Sequence, residues 1–107
     1  MNDKEFINDY LSRYNKSLFE NDISDQMIKM KELLLELKNN GKKVIIAGNG
    51  GSAAIASHVA VDFTKQGGIR AINFNDADLI TCFANDYGYE NWVAKAIEFY
   101  GDKGDLA

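Results

Sequence analysis

The sequence predicts an α/β fold, a doubly wound parallel sheet preceded by two N-terminal helices. Three observations carry that prediction. Apolar residues recur at helical spacing through the first forty positions. A β-branched run, KVIIA at 43–47, then stops at a glycine turn. From there helix-like and strand-like stretches alternate, and right-handed crossovers make such an order a parallel sheet.

In the first helix, Phe6, Ile7, Tyr10, Leu11, Tyr14, Leu18 and Phe19 form the apolar stripe. Asn2 followed by Glu5 reads as a capping box, with Asn in the Ser/Thr role. After a break at Asn21-Asp22, Ile23, Met27, Met30, Leu34 and Leu37 mark the second helix. Asn39-Asn40-Gly41 ends it with residues that tolerate left-handed backbone. Both stripes are wide, and Leu33-Leu34-Leu35 is apolar almost all round. Such helices pack on their own domain or against another subunit, and so short a domain covers that surface poorly alone.

The run at 43–47 lacks alternation, as expected of a strand buried on both faces. A helix follows over about 52–66 and Gly67-Gly68 breaks it. IRAINF at 69–74 reads as a second strand. Asn75-Asp76 ends it and caps a helix over 77–85, and a further helix runs over 90–100. Gly101-Asp102-Lys103-Gly104 is a turn, and 105–107 begins a third strand. The chain therefore divides into a helical hairpin at 1–40 and the start of an α/β sheet at 41–107, within one domain.

Composition narrows the function classes. The chain has 107 residues, 46% of them hydrophobic, and a formal charge of −4. An acidic chain without a basic stripe does not suit nucleic acid. Lys42-Lys43 is the only basic pair and reads as solvated. No apolar run reaches membrane-span length, and the N-terminus lacks an apolar signal core. Cys82 is alone, so there is no disulfide framework, and its apolar setting (LITCFA) predicts a small buried residue. These features point to a cytoplasmic protein.

Gly48-Asn49-Gly50-Gly51-Ser52 is the candidate site. Glycines after a strand let backbone approach a ligand, and the next helix offers free N–H groups and a positive dipole end. Ser52 adds a hydroxyl. Three readings stand: a dinucleotide, a sugar phosphate, or a tight turn with no ligand. Gly48-x-Gly50-x-x-Ala53 fits the dinucleotide fingerprint, but Asp76 falls late for the expected acidic residue. The P-loop pattern fails, because no Gly-Lys-Ser/Thr follows. His58 and Asp62, four apart, share a helix face, either as metal ligands or as a hydrogen-bonded pair. Two ligands fall short of a usual zinc site. Ile55, Val59 and Phe63 form the stripe expected on the sheet, and Trp92 and Tyr100 read as core or interface aromatics.

Ala47 to Ala54 (AGNGGSAA) with His58 resembles the sugar isomerase (SIS) domain, a flavodoxin-like fold, and within it the phosphoheptose isomerases. Asn85-Asp86-Tyr87-Gly88-Tyr89 is similar to a second motif of that family, and Gly101 to Ala107 to the approach to its next strand. The resemblance implies aldose–ketose isomerisation of a sedoheptulose 7-phosphate type substrate through an enediol, in precursor synthesis for bacterial surface polysaccharide. It implies that Asn49, Gly50, Gly51, Ser52, Asn85 and Asp86 contact the substrate. It implies that Asp62 is the proton-transfer residue and that His58 and Asp62 are zinc ligands. It implies no nucleotide, a homotetramer, and no nucleic-acid or membrane partner.

The sequence departs from the family in three places. Asp62 stands where the family has Glu, which shortens the base by one methylene. FTKQGG replaces a longer Arg- and Pro-rich loop. The serine-rich phosphate loop and a later histidine and glutamine have no counterpart within these 107 residues, so the chain is expected to be the N-terminal half of such an isomerase, inactive in isolation. The alternative is a non-catalytic relative that binds a sugar phosphate or a protein such as the replication initiator.

Overall fold

A computed structural model describes residues 1–107. The chain forms two compact units, residues 1–32 and 33–107.

In the first unit, α1 (Asp3–Phe19) starts at the expected capping box. Asn2 Oδ1 accepts from the Glu5 amide and Glu5 Oε2 accepts from the Asn2 amide, both at 2.9 Å. The predicted stripe is present, but α1 buries none of its residues, and Phe6, Ile7, Tyr10 and Tyr14 are about half exposed. Tyr10 and Tyr14 stack on one another with centroids 6.1 Å apart.

Helix α2 (Ser24–Asn39) begins in this unit and ends in the second. Its last turns bury Leu34 and Leu37, while Leu33 and Leu35 stay half exposed.

The second unit is the sheet. The strands are shorter than the apolar runs that announce them: β1 is Val44–Ile45 and β2 is Ala71–Ile72, paired in parallel with Val44 opposite Ala71. Leu106 forms a parallel bridge to Val44 on the other side, where the third strand was expected. β1 is therefore central. The helices are α3 (Gly51–Lys65), α4 (Ala77–Tyr87) and α5 (Trp92–Tyr100), with a 3-10 turn at Tyr89–Asn91 before α5.

Alternation along β1 sends apolar residues to two separate cores. On one face Val44 packs with Leu34, Leu37 and Ile69, and with Phe63 of α3. On the other Ile45 packs with Phe74, Trp92 and Ala96, flanked by Leu79, Ile80 and Phe83 of α4. Helices thus cover both faces, as a doubly wound parallel sheet requires.

Three expectations need correction. Of the stripe expected on α3, Phe63 packs against the sheet core but Ile55 turns to solvent, and Ala56 and Ala60 are the buried residues; small residues let the helix lie close to the strands. Cys82 is exposed rather than buried, because α4 turns Leu79, Ile80 and Phe83 to the core instead. Trp92 is buried in the core, and Tyr100 lies half exposed against Phe74, with ring centroids 5.6 Å apart.

Lys43 is the third, since it is not a solvated partner of Lys42. Its ammonium lies 2.7 Å from Asp105 and 2.8 Å from Asp102. Asp105 also accepts from the amides of Lys43 and Asp102. Burial works to raise the Asp105 pKa; the bonds from Lys43 and the Asp102 amide outweigh it and hold the carboxyl at about 2, below its ordinary 3.8. The network ties the turn after α5 to the start of β1, which fixes Leu106 beside Val44.

Candidate sugar-phosphate site

The Gly48–Ser52 loop leaves the carboxyl end of β1 and becomes the first turn of α3. Gly48 is required by close approach. A Cβ there would lie 2.3 Å from the carbonyl carbon and oxygen of Ser52. Gly50 is required by conformation, with φ +59° and ψ −121°, a region that side-chain-bearing residues avoid.

The loop is closed by a short local circuit. Ser52 Oγ accepts from the Asn49 amide at 2.8 Å and donates to the Asn49 carbonyl at 2.9 Å. The Ala53 and Ala54 amides bond to the Gly50 carbonyl. The amides of Gly50 and Gly51 have no partner within the chain and stand at the positive end of α3. Ser52 thus holds the loop, and the exposed Asn49 carboxamide projects from it.

Tyr89 meets that carboxamide. Its hydroxyl donates to Asn49 Oδ1 at 3.2 Å. A cavity of about 360 Å³ opens beside the pair, lined by Gly48, Asn49, Tyr89, Glu90, Trp92 and Val93. It is at the lower end of the size of small-molecule sites. Tyr89 closes the second motif and Trp92 lies three residues beyond it, and neither is among the site residues the sequence indicates. Their signal was their place just after Asn85-Asp86.

Asn75 is a further residue that sequence reasoning gave only a capping role. The end of β2 points its Nδ2 at the Ala53 carbonyl, 2.7 Å, and at Ser57 Oγ, 2.6 Å. These bonds anchor the first two turns of α3, and through them the loop. Asp76 occupies the N-cap of α4 but makes no side-chain cap bond.

Asn85 and Asp86 lie in the last turn of α4, exposed, and do not line this cavity. Asn85 Nδ2 donates to Asp86 Oδ1 at 3.1 Å, and the Cys82 thiol lies 3.6 Å from Asp86 Oδ2. The Asp86 charge, with burial and Asp78 adding, raises the Cys82 pKa and keeps the thiol protonated.

His58 and Asp62 pair with one another, Nε2 to Oδ2 3.5 Å, on the solvent face of α3. Their side chains are 78% and 49% exposed. No group of three or more His, Cys, Asp or Glu residues is assembled to hold a metal ion. Two exposed donors do not make a zinc site, so the residues of this chain alone do not fit one. At 1.5 Å per residue, Asp62 stands about 16 Å along the helix from Gly51. The structure therefore brings Asn49, the loop amides and Tyr89 together, and leaves Asp62 and His58 apart from them.

No protein-family profile matches the chain. Its relatives do. It is 37% identical to phosphoheptose isomerase 2 of Campylobacter jejuni, over 90% of this chain and 57% of that protein. It is 41% identical to the phosphoheptose isomerase of Fusobacterium nucleatum, over 73% of this chain and 43% of the relative. Over most of its own length the chain is similar to phosphoheptose isomerases. The solved phosphoheptose isomerase of Neisseria gonorrhoeae superposes with a TM-score of 0.81 at 29% identity, covering 95% of this chain and 56% of that one. The chain spans about half the length of the phosphoheptose isomerases it matches. No helix in it is long and apolar enough to cross a membrane.

Proposed function

We propose that the chain serves a phosphoheptose isomerase of the SIS type, converting sedoheptulose 7-phosphate to the aldose 7-phosphate for surface-polysaccharide precursors. The observation that carries this reading is the Gly48–Ser52 loop: two unpartnered amides at the start of α3, with the Asn49 carboxamide and a cavity beside them. Oriented N–H groups at a helix N-terminus suit oxygen-rich anions.

The reaction moves two protons, one from C1 to C2 and one from O1 to O2. A base removes a proton from C1 of the ketose while O2 gains one, giving the enediol. Return of a proton to C2 and loss of the O1 proton give the aldose. Asn49, Gly50 and Gly51 hold oxygens of the sugar phosphate, Ser52 closes the loop that presents them, and Asn85 and Asp86 take hydroxyls. Asp62 is the proton-transfer residue, with His58 beside it at 3.5 Å. The separation of about 16 Å exceeds the reach of an extended seven-carbon chain. Asp62 therefore serves a loop other than its own, and a homotetramer supplies that arrangement. The exposed apolar face of α1 supports oligomerisation. Any zinc bound by His58 and Asp62 draws further donors from outside this group. The enzyme works in the cytoplasm.

The test is exchange in D2O. The protein isolated from its own cell, incubated with sedoheptulose 7-phosphate, is expected to place deuterium at C1 of the recovered ketose. Absence of exchange, with substrate bound, refutes the isomerase reading.

A further inference from the structure

We propose that Tyr89 is a positioning residue that fixes the Asn49 carboxamide with its donor end toward the ligand; the proposal rests on the reading of the loop as a sugar-phosphate site. The backbone of Asn49 is already held at both ends, its amide on Ser52 Oγ and its carbonyl by the Ser52 hydroxyl and amide. What remains free is rotation of the side chain. A carboxamide has one acceptor end and one donor end, and rotation by half a turn exchanges them. The Tyr89 hydroxyl donates to Oδ1 at 3.2 Å. That bond occupies the acceptor end and leaves the Nδ2 hydrogens to point away.

The consequence is a loop that offers donors only. The Gly50 and Gly51 amides and Asn49 Nδ2 then form one set, complementary to phosphate and hydroxyl oxygens. A reversed carboxamide would set Oδ1 against the same oxygens, and two acceptors facing one another repel. Tyr89 can hold this orientation because its own position is fixed nearby. Gly88, with φ +89°, turns the chain out of α4, and the 3-10 turn leads directly into the buried Trp92. The bond joins the two sequence motifs across 40 residues, and it explains how the segment after Asp86 reaches the glycine loop.

A double-mutant cycle tests this, read by titrating sedoheptulose 7-phosphate into the 15N-labelled chain carrying Tyr89→Phe, Asn49→Ala or both. Tyr89→Phe is expected to weaken binding roughly fivefold, the worth of one ordinary hydrogen bond. In the Asn49→Ala background it is expected to have no further effect. Equal weakening in both backgrounds overturns the proposal, because Tyr89 then acts on the sugar directly or through the fold. No effect of Tyr89→Phe where Asn49→Ala weakens binding overturns it too, while sparing the loop. Failure of Asn49→Ala to matter refutes the loop as the site. A ligand-free readout stands beside these: the Asn49 side-chain NH2 resonances are expected to move in Tyr89→Phe, and unchanged resonances overturn the proposal.

Discussion

Gly48 and Gly51 flank the loop and respond to the same substitution in opposite directions. A Cβ at Gly48 would meet Ser52 C and O at 2.3 Å and Ala53 N at 2.6 Å. Favourable contacts begin near 3.5 Å. All three atoms are backbone of the first turn of α3, so no rotamer change relieves the clash, and the helix must retreat from β1. Overpacking costs about 1–3 kcal/mol, and backbone displacement puts Gly48→Ala at the upper end. In a domain of this size each kcal/mol moves Tm by about 4–8 °C, so a fall of roughly 10 °C or more is expected. A Cβ at Gly51 meets nothing within 4 Å, and its φ is not positive. Alanine there narrows the unfolded ensemble and adds about 0.4–1 kcal/mol. The same methyl stands beside the free amides, where the phosphate is proposed to lie. Gly51→Ala is therefore expected to raise Tm by a few degrees while weakening sedoheptulose 7-phosphate. Thermal melts followed by Trp92 fluorescence, paired with ligand titrations, read both quantities. A Gly48→Ala protein that melts with the wild type refutes the close-approach argument. A Gly51→Ala protein that binds normally refutes ligand approach to that amide.

Other expectations follow from the contacts. Asp105 has its pKa depressed to about 2 from 3.8, so its contribution to stability is complete above about pH 4 and is lost as pH falls toward 2. Urea midpoints between pH 2 and pH 5 are expected to fall with acid in the wild type, and Asp105→Asn is expected to flatten that slope. Asn75→Ala removes two bonds to α3, and is expected to cost about 1 kcal/mol for each by urea unfolding. Asp62→Asn alters an exposed side chain, so it is expected to leave Tm unchanged and abolish C1 proton exchange in the isomerase; retained exchange assigns the base elsewhere.

The apolar patterns made the order of elements legible. Helix periodicity placed α1 and α2, and the capping box at Asn2 and Glu5 formed as its spacing implies. The lone β-branched run marked the central strand, because a strand covered on both faces has no polar side to show. The bounds were less legible. IRAINF spans six positions, four of them apolar, but only Ala71 and Ile72 pair with β1. Phe74 is buried beyond the paired segment because it packs on Trp92 and Ala96. A long-range ion pair such as Lys43 with Asp102 and Asp105 has no local signature at all. In the site, glycines announced the loop because their conformational role is local. Tyr89 and Asn75 escaped because their roles depend on partners 40 and 22 residues away.

The same distinction bears on catalysis. Local sequence put Asn49, Ser52, His58 and Asp62 within fourteen residues, which suggests a single constellation. Helix geometry separates them. Ser52 is spent closing the loop, and Asp62 lies three turns away on a face open to solvent. A helix can present a ligand-holding end and a reactive side, but it cannot fold them onto one small molecule. If both serve isomerisation, α3 must work in two sites at once, its N-terminus in one and its flank in the other. That arrangement makes assembly a condition of activity. It predicts that dilution below the assembly concentration removes proton exchange while loop binding of the sugar phosphate persists.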